Sequence, residues 1–200
     1  MQTRRALVSL GFAGLLLAAC DAKPRPVAPT STGAADIGGP FTLVDQDGKP
    51  ATEAMLKGKW SVIYFGYTYC PDVCPTSLQT LAAALDEMGR QGRSVQTILI
   101  SVDPERDTPA QLKTYVKSEV FPENLIGLTG TPEQVAAAAK AYKFYYRKAG
   151  DGPDYLVDHL SIMYLMDPTG KLDRPLTHGQ TPDEIAAQIR DAMKNGPRGA

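Results

Sequence analysis

Two cysteines and one histidine are the residues of this 200-residue chain whose types and spacing can do chemistry. Cys70 and Cys74 stand four apart in the run Tyr64-Phe65-Gly66-Tyr67-Thr68-Tyr69-Cys70-Pro71-Asp72-Val73-Cys74-Pro75. On a helical turn, residues at i and i+4 project side by side. Two sulfurs so placed converge on one soft metal ion, or close a disulfide where the backbone permits. The apolar run Trp60 to Phe65 reads as a buried strand. Leu78, Leu81, Ala82, Leu85 and Met88 then recur at spacings of three and four, the period of a helix. The pair therefore falls where a strand turns into a helix. Unpaired N–H groups and the positive end of the helix dipole gather there and favour thiolate, the form that binds metals and attacks disulfides. Two prolines and Asp72 crowd the pair and suggest an exposed turn rather than inert core thiols.

The chain has only two histidines. His159, in Asp158-His159-Leu160-Ser161, directly precedes the apolar run Ile162 to Met166. Where that run lies beside the strand feeding the cysteines, the residue entering it faces their turn. Two cysteines and a histidine make a three-donor set with an open side. Thiolates select soft ions such as Cu(I), and imidazole tolerates Cu(I), Cu(II) and Zn(II). His178, between Thr177 and Gly179, has no such placement and is left out of the site. The Gly-, Pro- and Asp-rich stretch 145–158 reads as a small mobile hairpin that imports His159 when metal binds.

The elements that position these residues follow in order. Residues 1–20 read as a bacterial export signal, with Arg4 and Arg5 ahead of an apolar stretch, Ala6 to Ala19, too short for a comfortable membrane span. It ends in Leu17-Ala18-Ala19-Cys20, which resembles a lipobox, so Cys20 is the expected acylation site and the membrane tether. Thr3-Arg4-Arg5 is a partial match to a twin-arginine signal, which leaves Sec or Tat export open. Residues 21–37, with Pro24, Pro26, Pro29 and a run of small residues, read as a linker. One domain is expected over 38–195. Losing Arg4 and Arg5 from 21 basic residues leaves 19 against 22 acidic ones, a net of −3. With no basic block and no aromatic-basic interleaving, nucleic acid is not an expected partner. Cys20 also accounts for the odd count of three cysteines.

A hairpin is expected over 38–57, with a strand at Phe41 to Val44, a turn at Asp45 to Lys49 and a return from Thr52. Further strands are expected at Val95 to Val102, Leu125 to Leu128 and Ile162 to Met166, the last turning at Asp167 to Lys171 into a return from Leu172. Thr108-Pro109-Ala110-Gln111, Thr131-Pro132-Glu133-Gln134 and Thr181-Pro182-Asp183-Glu184 each read as a capping box with proline at the first helical position, so capping accounts for them. The order is β-hairpin, β, α, β, α, β, α, β, β, α. It predicts an α/β thioredoxin-like fold: a central mixed sheet flanked by helices, in which the late hairpin adds antiparallel strands to parallel ones, with an extra N-terminal hairpin.

The cysteine run, then Ile100-Ser101-Val102-Asp103-Pro104-Glu105-Arg106-Asp107-Thr108-Pro109, then Asp158-His159 and Asp167-Pro168-Thr169-Gly170, resemble the Sco/SenC family over about residues 38–192. The resemblance implies a membrane-tethered metallochaperone that binds copper, as Cu(I) or Cu(II), through positions matching Cys70, Cys74 and His159. Family members assist assembly of the dinuclear copper site in cytochrome c oxidase subunit II, as copper donors, as thiol–disulfide reductants, or both. An upstream copper donor and a copper-accepting partner are implied. The implied location is the cell membrane, with the domain facing the periplasm or exterior. Tyr69 and Leu160 depart from common family residues without removing a ligand. Asp72 serves the turn in preference to the metal. Asp103 and Asp107 flank Arg106 and suit an ion pair or partner docking better than catalysis, and no residue is assigned a catalytic role. The competing readings are a metal-free thiol–disulfide reductase using Cys70 and Cys74, and a peroxiredoxin-like peroxidase. The peroxidase lacks its Pro-x-x-x-Thr-x-x-Cys approach.

Overall fold

The computed structural model describes residues 37–197. The expected leader, Cys20 and the linker up to residue 36 lie outside the described residues. Strands β1 (Thr42–Asp45) and β2 (Pro50–Thr52) form the N-terminal hairpin. Its turn is closed by Asp45 Oδ1, which accepts from the backbone of Asp47 and of Lys49, both at 2.9 Å. The return strand comes earlier than expected and ends at Thr52, where it was expected to begin. Glu53–Leu56 coil into a 3₁₀ turn instead, and the Glu53 carboxylate accepts the Phe41 N–H at 3.2 Å.

The chain then runs β3 (Ser61–Gly66), α1 (Val73–Glu87), a short α2 (Arg90–Arg93) that the sequence did not announce, β4 (Gln96–Ser101), α3 (Pro109–Tyr115), β5 (Leu125–Thr129) and α4 (Pro132–Ala141). β6 (Tyr146–Ala149) and β7 (Leu156–His159) form a hairpin of their own. β8 (Ile162–Met166), β9 (Leu172–Thr177) and α5 (Pro182–Asn195) complete the described fold. The central sheet has the order β2-β1-β5-β4-β3-β8-β9. Only β3–β4 and β4–β5 pair in parallel, so the sheet is mixed, as expected. The physical reason lies in the connections. The β6–β7 hairpin returns the chain at the cysteine end of the sheet, so β8 must run antiparallel to β3. β1 closes antiparallel on β5 at the other side.

β3 and β4 are buried along their whole lengths, as befits strands covered on both faces. Alternation sends Tyr64 towards α1, while Phe65 stacks on Phe144 (4.6 Å) and meets Tyr142 (5.5 Å) on the α4 side. Leu78, Leu81 and Leu85 line the buried stripe of α1, which packs beside α5. Thr131 and Thr181 make full capping boxes. At α3, Thr108 Oγ1 accepts from Gln111 N as expected, but the Gln111 amide reaches Thr68 Oγ1 (3.5 Å) instead of closing a box.

Candidate metal centre

β3 delivers the chain to the site, and Gly66 ends it. A Cβ there would lie 2.9 Å from Tyr64 Cε1 and 3.0 Å from Cys74 Sγ, so only glycine lets the sulfur pack against the strand. The turn that follows is braced from β4. Asp107 is wholly buried and accepts from Thr68 N (3.0 Å), Thr68 Oγ1 (2.6 Å) and Ser101 Oγ (2.6 Å). Burial pushes its carboxyl pKa up, and the Ser101 and Thr68 donors work against that rise. Asp107 therefore braces the cysteine turn. The ion pair expected of this stretch joins only Arg106 and Asp103.

Cys74 is the second residue of α1 and completely buried, unlike the exposed turn expected for it. Cys70 stands before the helix, half-buried, so the two do not share a helical turn. Proline disfavours helical backbone in the residue before it, and Pro71 follows Cys70. The sulfurs meet because Cys70 Sγ accepts the Cys74 backbone N–H at 3.4 Å. It does the work of a helix cap, which the residue at the cap position, Asp72, leaves undone. The exposed Asp72 carboxylate accepts from Thr76 Oγ1 (3.4 Å) and stands outside the donor cluster.

His159 ends β7 opposite Tyr146. Its Nδ1 donates to the Leu160 carbonyl at 2.9 Å, which leaves Nε2 facing the sulfurs, 3.4 Å from Cys74 Sγ. The donor atoms of Cys70, Cys74 and His159 all lie within 4.8 Å of one another. No import of His159 is needed to bring it within reach. Three rings box the imidazole: Tyr67 edge-on at 5.8 Å, Tyr64 edge-on at 6.3 Å and Phe144 stacked at 6.2 Å. His178 is exposed, its Nδ1 3.2 Å from Ser77 Oγ, and it takes no part.

The two thiols titrate apart. The Cys74 S–H, His159 and the backbone N–H groups of Asp72 and Cys74 pull the Cys70 pKa down to about 3. The neighbouring Cys70 thiolate and burial push that of Cys74 up. Burial opposes charge on His159, but the Cys70 thiolate and the Leu160 carbonyl outweigh it and raise its pKa. The site thus holds one preformed thiolate, one buried thiol and an imidazole of fixed tautomer. Two sulfurs and one nitrogen suit a soft ion, and the fixed tautomer is the arrangement a ligating histidine needs. The ring residues Tyr64, Tyr67 and Phe144 were not foreseen. Period-two alternation along β3 carried a signal for Tyr64. Phe144 had none, because it depends on where α4 ends.

The SCO1/SenC family model matches residues 29–194. Protein SenC of Rhodobacter capsulatus is 45% identical over 163 residues, 80% of this chain and 72% of that protein. The mitochondrial SCO1 homolog 1 of Arabidopsis thaliana is 52% identical over 140 residues, 69% of this chain but only 41% of its own length. Among solved structures, copper-bound ScoI of Bradyrhizobium japonicum superposes with a TM-score of 0.71 at 47% identity, covering 78% of this chain and 98% of that one. BsSco, described as having a disulfide switch and as a member of the Sco family of cytochrome c oxidase assembly proteins, gives 0.64 at 28% identity, covering 78% and 92%. The fold is thioredoxin-like, and this chain belongs to the SCO1/SenC family.

Proposed function

We propose that this chain is a membrane-tethered copper metallochaperone that carries copper on Cys70, Cys74 and His159 and assists assembly of the copper site of cytochrome c oxidase. The observation that carries the reading is the convergence of those three donor atoms within 4.8 Å. Copper is the cargo. The half-buried Cys70 thiolate is the first sulfur available to it, and Cys74 must give up its proton to become the second donor. His159 Nε2 supplies nitrogen, with its ring held by the Leu160 carbonyl and three aromatic neighbours. Relatives with copper bound and a relative named for oxidase assembly support the reading. The test is an anaerobic titration of the reduced domain with Cu(I) and Cu(II), followed by absorption and electron paramagnetic resonance. Reduced protein binds stoichiometrically. Protein carrying a Cys70–Cys74 disulfide has no thiolates and binds no Cu(I), so tight binding by the oxidised form would overturn the reading.

One observation favours a second reading, a thiol–disulfide reductase acting on the cysteines of an oxidase subunit. An accessible low-pKa thiolate beside a buried thiol is the arrangement of an attacking and a resolving cysteine. The two activities share Cys70 and Cys74, and His159 separates them.

A further inference from the structure

The β6–β7 hairpin carries His159 yet pairs with no strand of the central sheet. A two-stranded hairpin alone is marginally stable. Of its eight strand residues only Val157 is buried. Its position over the cysteine turn therefore depends on docking contacts. Near the base, the Val157 N–H donates to Tyr67 Oη at 3.2 Å. Further out, Tyr155 donates its hydroxyl to Asp103 Oδ1 at 2.5 Å. The Tyr155 ring has Arg106 Cζ at 3.6 Å from its centroid and Lys148 Nζ at 3.8 Å. Arg106 is also ion-paired with Asp103, and its Nη1 donates to the Pro153 carbonyl at 3.2 Å. The same guanidinium lies 4.6 Å over the ring of Tyr69, the residue before Cys70. One cation thus touches both the hairpin tip and the cysteine turn. The Lys148–Glu105 pair is exposed and adds little.

We propose that Asp103, Arg106 and Tyr155 form a latch that holds the β6–β7 hairpin closed on the cysteine turn and so fixes where His159 Nε2 stands. Arg106 and Tyr155 are positioning residues for the third metal donor. Their role at the metal rests on the copper reading; their role in closing the hairpin does not.

Amide hydrogen exchange on the reduced, metal-free protein reads the latch directly. Arg106→Leu and Tyr155→Leu cut it, and Tyr155→Phe removes only the hydroxyl. In the leucine variants the amides of residues 146–159 exchange about tenfold faster, while those of β3 and β4 hold. Cu(II) affinity falls by about 10- to 100-fold, the range for partners that orient a ligand. That loss vanishes in a His159→Ala background, because residues acting through one ligand do not add. Hairpin exchange and Cu(II) affinity both within about twofold of the unsubstituted protein would overturn the proposal. A loss that adds in full to that of His159→Ala would also overturn it. Should the leucine variants not fold, Tyr155→Phe decides: its hairpin amides alone speed up, and if they do not, there is no latch. Failure of the unsubstituted protein to bind copper would sink the metal reading without touching the exchange result.

Discussion

Cys70 and Cys74 share a motif and differ in almost everything else. Cys70 is a half-buried thiolate that caps the helix, and Cys74 is a buried thiol leaning on it. With a folded pKa of about 3 against an ordinary 9.0, the Cys70 thiolate contributes stability in full above pH 9.0 and loses it as pH falls towards 3. The same shift sets its reactivity. At about pH 6 an ordinary thiol is almost wholly protonated. Iodoacetamide at that pH should alkylate Cys70 and leave Cys74 unmodified until the protein unfolds, as read by peptide mass mapping. Equal labelling would show that the thiols do not differ. His159→Ala tests the third donor. Loss of a direct ligand should cost Cu(I) more than the roughly 100-fold upper range for an orienting residue, and Cu(II) more still, since Cu(II) favours nitrogen. Disulfide reduction should survive within about tenfold, because attack depends on thiolate character at the helix start. Affinities equal to wild type would leave only the reductase. The clustering of Cys70, Cys74 and His159 was legible in the sequence because few residue types can do this chemistry. Their surroundings were not. Asp107 binds the turn through hydrogen bonds spanning 39 residues of chain, a contact that spacing does not encode.

At the scale of elements, β3 and its glycine set the site. Tyr64 and Gly66 alternate with Phe65, so one face of the strand meets Cys74 and the other the aromatic cluster. Gly66→Ala puts a methyl 3.0 Å from Cys74 Sγ and 2.9 Å from the Tyr64 ring. Overpacking of this kind costs about 1–3 kcal/mol, and here it also pushes one donor off its place. Urea denaturation should report the stability loss and Cu(I) competition a weakened site. A variant as stable and as tight as wild type would mean that the strand end yields freely. The strong elements were legible because their signals are local: the apolar runs of β3, β4 and β8, and the Thr-Pro caps of three helices. The early end of β2 and the short α2 were not, since each follows from packing. The 145–158 stretch was legible as a hairpin from its glycines, proline and aspartates. Its docking, through a cation over a ring and a backbone carbonyl, was not.

At the scale of the molecule, the central sheet is kept from growing. Among the described residues its two edge strands carry Pro50 in β2 and Pro175 in β9, and proline cannot donate to a ladder. Among the described residues no helix is long and apolar enough to cross a membrane. We expect Cys20 to carry lipid and the folded domain to work independently of it. The domain's first anchor is at Ile37, which packs against the core, and Gly38, whose N–H donates to the Ala141 carbonyl at 3.1 Å. Gly38 holds a φ of +112°, and a Cβ there would lie 3.1 Å from Met166 Cε and 3.2 Å from the Gly170 carbonyl. A chain cut before residue 37 therefore keeps every contact described here, whereas one cut after Gly38 loses that closure. The first should bind Cu(I) with the affinity of the full chain. In the native host, Cys20→Ser should release the protein from the membrane or leave it unprocessed, with copper binding intact. More than one acyl chain is needed for stable attachment, and an acylated N-terminal cysteine brings them. Mass spectrometry of the membrane-bound form decides the matter: a lipid-free N-terminus at another residue would remove Cys20 as the tether, and weakened copper binding in Cys20→Ser would show that leader and domain are not independent.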